Sequence, residues 1–429
     1  MKEKLQPYID LVRGNENYRR LWLAQLISNF GDWFGILAVY AIIQVYSGSE
    51  LLLGLIIVVK MMSLAFSSPI AGFITDRFNR RFLMILCDVG RGVIVLGFLL
   101  IESPSLLWLA YAITAVQMAF SAVFEPAKTS SIPNVTTSNE LVNANILSAA
   151  SWSIIFTTGM AIGGFATEYL GTDLVFILNA ISYAISGYLI YKADIPQQEL
   201  SEEEKEKQRN PVKGILEGFR FLKNNGRVLR PALAKGTFTM CIGGLIYMLI
   251  IVAEDVLMMG SVGLGILYAA RGIGTGIGPV IGRRLFKQEG GWVRAMGYFM
   301  IFCGIMYLFL SGVSSILVMS LFVMVAHMAS GANWVMSTVL LQRRAPDTFR
   351  GRVFSTEWLL FTTAQSVSVT VAAAILEFDL LSIRQLIGVF AVLLMVSGTY
   401  WLLKIAPAEE SETDSGPAVK GVRLEAEVE

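Results

Sequence analysis

The sequence predicts an all-α polytopic membrane protein, with twelve transmembrane helices in two six-helix bundles and both termini in the cytoplasm. Three observations lead there. Of 429 residues, 55% are apolar and only 16% charged, against roughly 25% charged in a soluble domain, and mean hydropathy is +0.61. Twelve apolar runs reach the ~20 residues a helix needs to cross a hydrocarbon core about 30 Å thick. Finally, 29 of the 34 Lys and Arg fall in alternate loops, while the opposite loops hold only Arg384 and eight acids. Short cytoplasmic loops collect positive charge, so the basic side is the cytoplasmic one.

The runs lie near 20–46, 50–74, 82–101, 106–124, 146–167, 173–191, 232–253, 262–282, 293–311, 314–340, 353–376 and 385–404. Strands of a membrane barrel would alternate apolar and polar residues; these runs do not, so they are helices. A polar segment with Pro7 and Asp10 precedes the first run, which is too long for the apolar region of a cleavable signal and is expected to direct insertion itself. Cys87, Cys241 and Cys303 stand at unrelated spacings inside spans and give neither a disulfide framework nor a metal signature.

Six spans precede the longest polar interruption, 193–230, and six follow it. Its first part, Ser201 to Arg209, is a mixed charge run of the kind found in solvated linkers. From Pro211 onward Ile215, Leu216, Phe219 and Leu222 recur at helical spacing beside Lys213, Arg220, Lys223 and Arg227, which predicts an amphipathic helix on the membrane surface. The halves resemble each other: "LGLIIVVK" (Leu53 to Lys60) aligns with "LGILYAAR" (Leu264 to Arg271), and Pro69 and Gly72 align with Pro279 and Gly282. That is a parallel repeat about an axis along the membrane normal. The expected organisation is an N-terminal six-helix bundle at 1–192, the linker at 193–230, a C-terminal bundle at 231–405 and a polar cytoplasmic tail at 406–429.

Between spans 2 and 3 stands "GFITDRFNRR", with Gly72, Ile74, Asp76, Arg77, Asn79, Arg80 and Arg81. It resembles the major facilitator superfamily signature G-x-[LI]-x-D-R-x-[GN]-R-[RK], with Asn for the commoner Gly; either holds a left-handed turn. "SNFGDW" (Ser28 to Trp33), "FEPAKTSSIP" (Phe124 to Pro133), "LVNAN" (Leu141 to Asn145) and "RRAPDTFRGRVFS" (Arg343 to Ser355) are similar to the branch containing macrolide and siderophore exporters. The span 5 antiporter motif survives as "GMAIGG", where Met160 replaces Pro while Gly159, Gly163 and Gly164 remain; small residues four apart let helix backbones approach. The resemblance implies transport by alternating access, like a drug/proton antiporter, and a cytoplasmic latch. In that latch Asp76 would meet the N-terminus of span 11 with Arg350 and Arg352, and Glu125 would take Arg80 or Arg81.

Ionisable residues deep in spans are expensive and mark cavities or pathways. Asp32 and Lys60 each lie on the order of 15–18 Å from a membrane surface; they form either a proton-exchanging couple in a central cavity or a static pair locking span 1 to span 2. Arg271, the repeat partner of Lys60, would either bind an anionic group or bond backbone carbonyls of its own helix. Asp88 and Arg91, three apart, share a helix face as an intrahelical pair. Lys235 is the remaining basic residue inside a span. His327, the one histidine, reads as a hydrogen-bonded packing residue and excludes a multi-His metal site. Gln117 and Asn333 are further polar cavity candidates.

Gly never precedes Lys in the chain, so there is no phosphate-binding G-x-x-x-x-G-K-[ST] loop, and one His cannot form H-E-x-x-H. An enzyme is disfavoured, and no metal, cofactor or nucleic acid is expected. What remains is proton-coupled export of a small amphiphile, drug-, macrolide- or siderophore-like, by a monomer in the cell membrane, with cargo, coupling ion and lipid as its partners. The alternatives are a lysophospholipid transporter, which "PAK" and "LVNAN" also resemble, and a facilitator. A ligand sensor would lack an appended domain to carry its signal.

Overall fold

A computed structural model describes residues 2–196, 211–345 and 347–413. Every regular element among them is helical: α1 (Lys2–Gly14), α2 (Glu16–Ser47), α3 (Glu50–Arg77), α4 (Arg80–Val95), α5 (Trp108–Val135), α6 (Ser138–Leu170), α7 (Thr172–Lys192), α8 (Pro211–Asn224), α9 (Gly226–Ile251), α10 (Gly260–Leu285), α11 (Trp292–Ser311), α12 (Ile316–Arg344), α13 (Asp347–Glu377), α14 (Ile383–Tyr400) and α15 (Ala406–Thr413). Eleven helices among the described residues are long and apolar enough to cross a membrane. The twelfth expected span lies in α6, whose 33 residues rise about 50 Å at 1.5 Å each, longer than a hydrocarbon core requires.

Local sequence starts these helices. Asn15 and Ser49 accept hydrogen bonds from the N–H groups of Tyr18 and Leu52, and Thr137–Glu140 and Ser382–Gln385 form reciprocal capping boxes that satisfy donors a helix start leaves free. Asn79 departs from expectation: its φ is −60°, so it holds no left-handed turn but caps α4 by accepting from Phe82 N–H at 3.0 Å.

Packing repeats between the halves. In the first, α2 packs on α6 and α7, α4 on α5 and α7, and α3 on α5; in the second, α9 packs on α13 and α14, α11 on α12 and α14, and α10 on α12. Each pairing of the first half thus has its counterpart seven positions later. Contact across the halves is also reciprocal, α6 with α10 and α13 with α3.

The linker helix α8 exposes Leu216 and Phe219 and buries Leu222 with Val228, Leu341 and Val353. It rests on α13, so part of its apolar face is covered by protein rather than by a membrane surface. Ser201 to Arg209 lie outside the described residues. The tail begins with α15, whose buried Glu409 is held by Arg230 at 2.6 Å, Arg344 at 2.8 Å and Arg227 at 3.7 Å. Three guanidinium groups around one carboxylate strap α15 to α9 and α12.

Candidate functional site

The expected pairing of Asp32 with Lys60 is replaced by another. Asp32 lies on α2 with its side chain 24% exposed, and its carboxylate faces Arg91 Nη1 at 3.7 Å, accepts from Tyr183 OH and lies 3.4 Å from Gln117 Nε2. Gln117 in turn donates to Tyr183 OH at 2.8 Å. Gly31, the residue before Asp32, favours this: a Cβ there would lie 2.1 Å from Ser182 Oγ and 2.5 Å from Asn179 Oδ1, so a larger residue would press on α7 beside Tyr183. Arg91 is buried, bonds Asp88 Oδ1 at 2.5 Å and lies over the rings of Phe124 and Tyr183; Ser186 Oγ donates to Asp88 Oδ2 at 2.7 Å. One guanidinium therefore serves two acids, within α4 and across to α2.

Lys60 instead places its ammonium over Trp33, 5.1 Å from the ring centroid. Trp33 packs edge-on against Phe156 at 4.7 Å, and Phe156 stacks on Trp152 at 5.5 Å. Arg271 also meets Phe156, its guanidinium 5.2 Å from that ring and 5.4 Å from Tyr268. Among the described residues Arg271 bonds none of the carbonyls of its own helix, and its buried Nε has no partner. Lys60 and Arg271 thus flank one aromatic cluster, from α3 and α10 respectively.

The expected glycine motif lies at the contact of α6 with α2 and α10. A Cβ on Gly163 would come within 2.6 Å of Phe34 O, and one on Gly159 within 3.0 Å of Trp33 Cβ; at Gly164 it would meet Ser261 O at 2.5 Å and Gly265 Cα at 3.0 Å. Backbone meets backbone there, which places Phe156 against Arg271.

Sequence reasoning passed over Glu357. It forms a buried ion pair with Lys235 at 2.7 Å, and Lys235 lies 4.2 Å from the Trp334 ring centroid in a cluster with Trp358 and Phe361. An acid inside the 353–376 run was a legible signal. His327 is fully buried, its Nε2 3.0 Å from Tyr307 OH, as a packing residue would be. Also unforeseen is a clasp at the acidic face. Glu377, ending α13, accepts from Ser49 Oγ at 2.7 Å and Leu51 N–H at 3.1 Å, and Tyr247 OH donates to the carbonyl of Glu50 at 2.5 Å.

At the basic face, the side chains of Asp76, Arg77, Arg350 and Arg352, and Gly72 with them, lie outside the described residues. Glu125 takes neither Arg80 nor Arg81. It pairs at 2.6 Å with Lys128, three residues along its own helix, while Arg80 donates to Ser130 O at 3.0 Å and Arg81 to Tyr191 O.

The geometry has relatives. The family model described as Major Facilitator Superfamily matches residues 21–369. The uncharacterized MFS-type transporter YfiS of Bacillus subtilis is 27% identical over 243 residues, a match spanning 54% of each chain. The putative bacilysin exporter BacE of Bacillus subtilis is 23% identical over 412 residues, 95% of this chain and 98% of BacE. The enterobactin exporter EntS of Shigella boydii is 24% identical over 361 residues, 80% of this chain and 82% of EntS. In fold, the chain is similar to the crystal structure of a bacterial homolog of the human lysosomal transporter Spinster, inward-facing and unoccupied, with TM-score 0.71 at 15% identity over 93% of this chain and 98% of that one. Helical architecture, apolar spans and a family match across most of the sequence agree: the chain belongs to the Major Facilitator Superfamily and is a multi-pass transporter of the cell membrane.

Proposed function

We propose that this protein is a secondary active transporter that exports a small amphiphilic compound by alternating access, with Asp32 carrying the coupling proton. The observation behind this reading is the partly exposed Asp32 carboxylate, deep in α2, tied to α4, α5 and α7 through Arg91, Gln117 and Tyr183. A proton on Asp32 cancels the charge that holds these helices to α2, while Arg91 keeps Asp88 as its partner. A proton therefore weakens the tie, above all its link to α4 through Arg91, and loss of the proton restores it. Segments 1–192 and 231–405 are the two bodies that move, joined by 193–230, with the basic loops and the tail at 406–429 in the cytoplasm. Asp76, with Arg77, Arg350 and Arg352, latches the cytoplasmic side when the protein opens outward.

BacE and EntS bear the names of bacilysin and enterobactin exporters, which makes those two compounds the first cargo candidates. In inverted membrane vesicles with an imposed proton gradient, one of them is expected to accumulate, and an uncoupler or Asp32→Asn to abolish the accumulation. Downhill equilibration indifferent to the gradient would instead make the protein a facilitator.

The bonds of Glu377 and Tyr247 support a conformation closed on the outer side. A carboxylate at the N-terminus of α3 also meets the positive end of the helix dipole. Removing it with Glu377→Ala leaves Ser49 and Leu51 N–H without their acceptor, about 1–3 kcal/mol for a buried group and less at this half-buried position. The closed form is thereby disfavoured. A cysteine introduced at Leu53, one turn below the clasp, is expected to react with an impermeant maleimide from outside up to about tenfold faster in Glu377→Ala. The native cysteines are buried and give little background. An unchanged labelling rate would remove Glu377 from the gate.

A further inference from the structure

We infer that the cargo carries an anionic group, a carboxylate in its simplest form, beside a flat apolar body, with Arg271 as the residue that selects the charge. This rests on the central site being the transport site, though not on proton coupling. The charged groups within the spans are unevenly partnered. Asp32 and Asp88 share Arg91, and Glu357 has Lys235. Among the described residues Lys60 and Arg271 have no hydrogen-bond or ion-pair partner, and each lies over aromatic rings. Asp32, Asp88, Arg91 and Lys60 together are neutral, as are Lys235 and Glu357. The excess charge in the membrane interior is the single positive charge of Arg271.

A cation unpaired at such depth is costly, and a side chain kept there for packing alone would be expected to satisfy its donors on backbone carbonyls. Arg271 does not. Its guanidinium carbon lies 5.2 Å from the Phe156 ring centroid and 5.4 Å from that of Tyr268, and with no hydrogen-bond acceptor among the described residues its N–H fork is available to bind a carboxylate in two-pronged fashion. The rings of Trp33, which Lys60 contacts, of Phe156, which Arg271 contacts, and of Trp152, which packs on both, offer flat apolar surface to the rest of such a molecule. A cationic cargo would find its acids already taken and a repelling charge beside them. An anion leaving a cell that is negative inside also travels down the membrane potential, which suits export.

The test uses purified full-length protein in detergent micelles and isothermal titration with three probes of one skeleton: 2-naphthoate, neutral 2-naphthamide and cationic 2-naphthylmethylammonium, each corrected against protein-free micelles. Naphthoate is expected to bind at least about tenfold more tightly than either of the others, as a charge-assisted bidentate contact would give. Arg271→Gln, checked as monodisperse, is expected to erase that preference by weakening naphthoate. Equal affinities, preference for the ammonium probe, absence of naphthoate binding, or a preference that persists in Arg271→Gln would each overturn the assignment. Should Arg271→Gln fail to fold, the order of the three probes on the unaltered protein still decides. No gradient is present in micelles, so failure here is separate from failure of proton-driven export in vesicles.

Discussion

Gly278→Val is expected to leave almost no folded protein. A Cβ at Gly278 would sit 2.0 Å from Met328 O, with Met328 C and Cα also within 2.8 Å; one turn earlier a Cβ at Gly274 would sit 2.0 Å from Met324 O. These obstacles are backbone atoms inside a helix, so no rotamer change relieves them. The α10 and α12 backbones would have to separate, along the closest seam of the second half. Overpacking with freedom to relax costs about 1–3 kcal/mol; with a rigid backbone on both sides the cost lies at or above the top of that range, a large share of the 5–15 kcal/mol that holds a typical fold. Size-exclusion of solubilised membranes reads the result as loss of the monodisperse peak. Gly236→Ala is the control: nothing lies within 4 Å of a Cβ there, and alanine favours the helix by about 1 kcal/mol. Equal yields for Gly278→Val and the unaltered chain would mean that the two helices do not touch as described.

Glu357→Leu is expected to destabilise the protein more than the double change Lys235→Met with Glu357→Leu. Both partners are 3% exposed, so the single change strands a buried ammonium whose remaining support is the Trp334 ring. Breaking such a pair costs about 3–5 kcal/mol, whereas replacing both charges with apolar groups of similar volume is often neutral or stabilising. Thermal unfolding followed by aggregation in detergent ranks the three proteins. If the double variant were the least stable, the pair would contribute net stability and the desolvation argument would fail.

Much of the architecture could be read along the chain because lipid imposes a coarse rule. Length and continuity of apolar residues located the spans, and Leu53 to Lys60 beside Leu264 to Arg271 disclosed the repeat that the helix packing follows. The packing role of Gly159, Gly163 and Gly164 was legible for the same reason: bare backbone at helical spacing has few other uses. The partners of the buried charges were not. Asp32 and Lys60 sit at similar depth on neighbouring spans, yet pairing depends on rotation about each helix axis, which depth does not fix. Gly31 turns that rotation in favour of α7 by admitting Tyr183, and Arg91 follows because Asp88 anchors it. Glu125 was assigned across helices when Lys128, three residues away, was nearer. Glu377 was counted only among the eight acids of the opposite loops, because an acid at a helix end looks solvated until the opposite half places a free helix N-terminus against it.

The meeting of Gly164 with Gly265 has a mechanical consequence. Helices that interlock through side chains behave like meshed gears, because each ridge must climb out of its groove before one can slide past the other. Bare backbones offer a shallower profile. If the two halves roll against each other along α6 and α10, this contact is a bearing with little friction, and how fast the carrier turns over depends on how smooth that bearing stays.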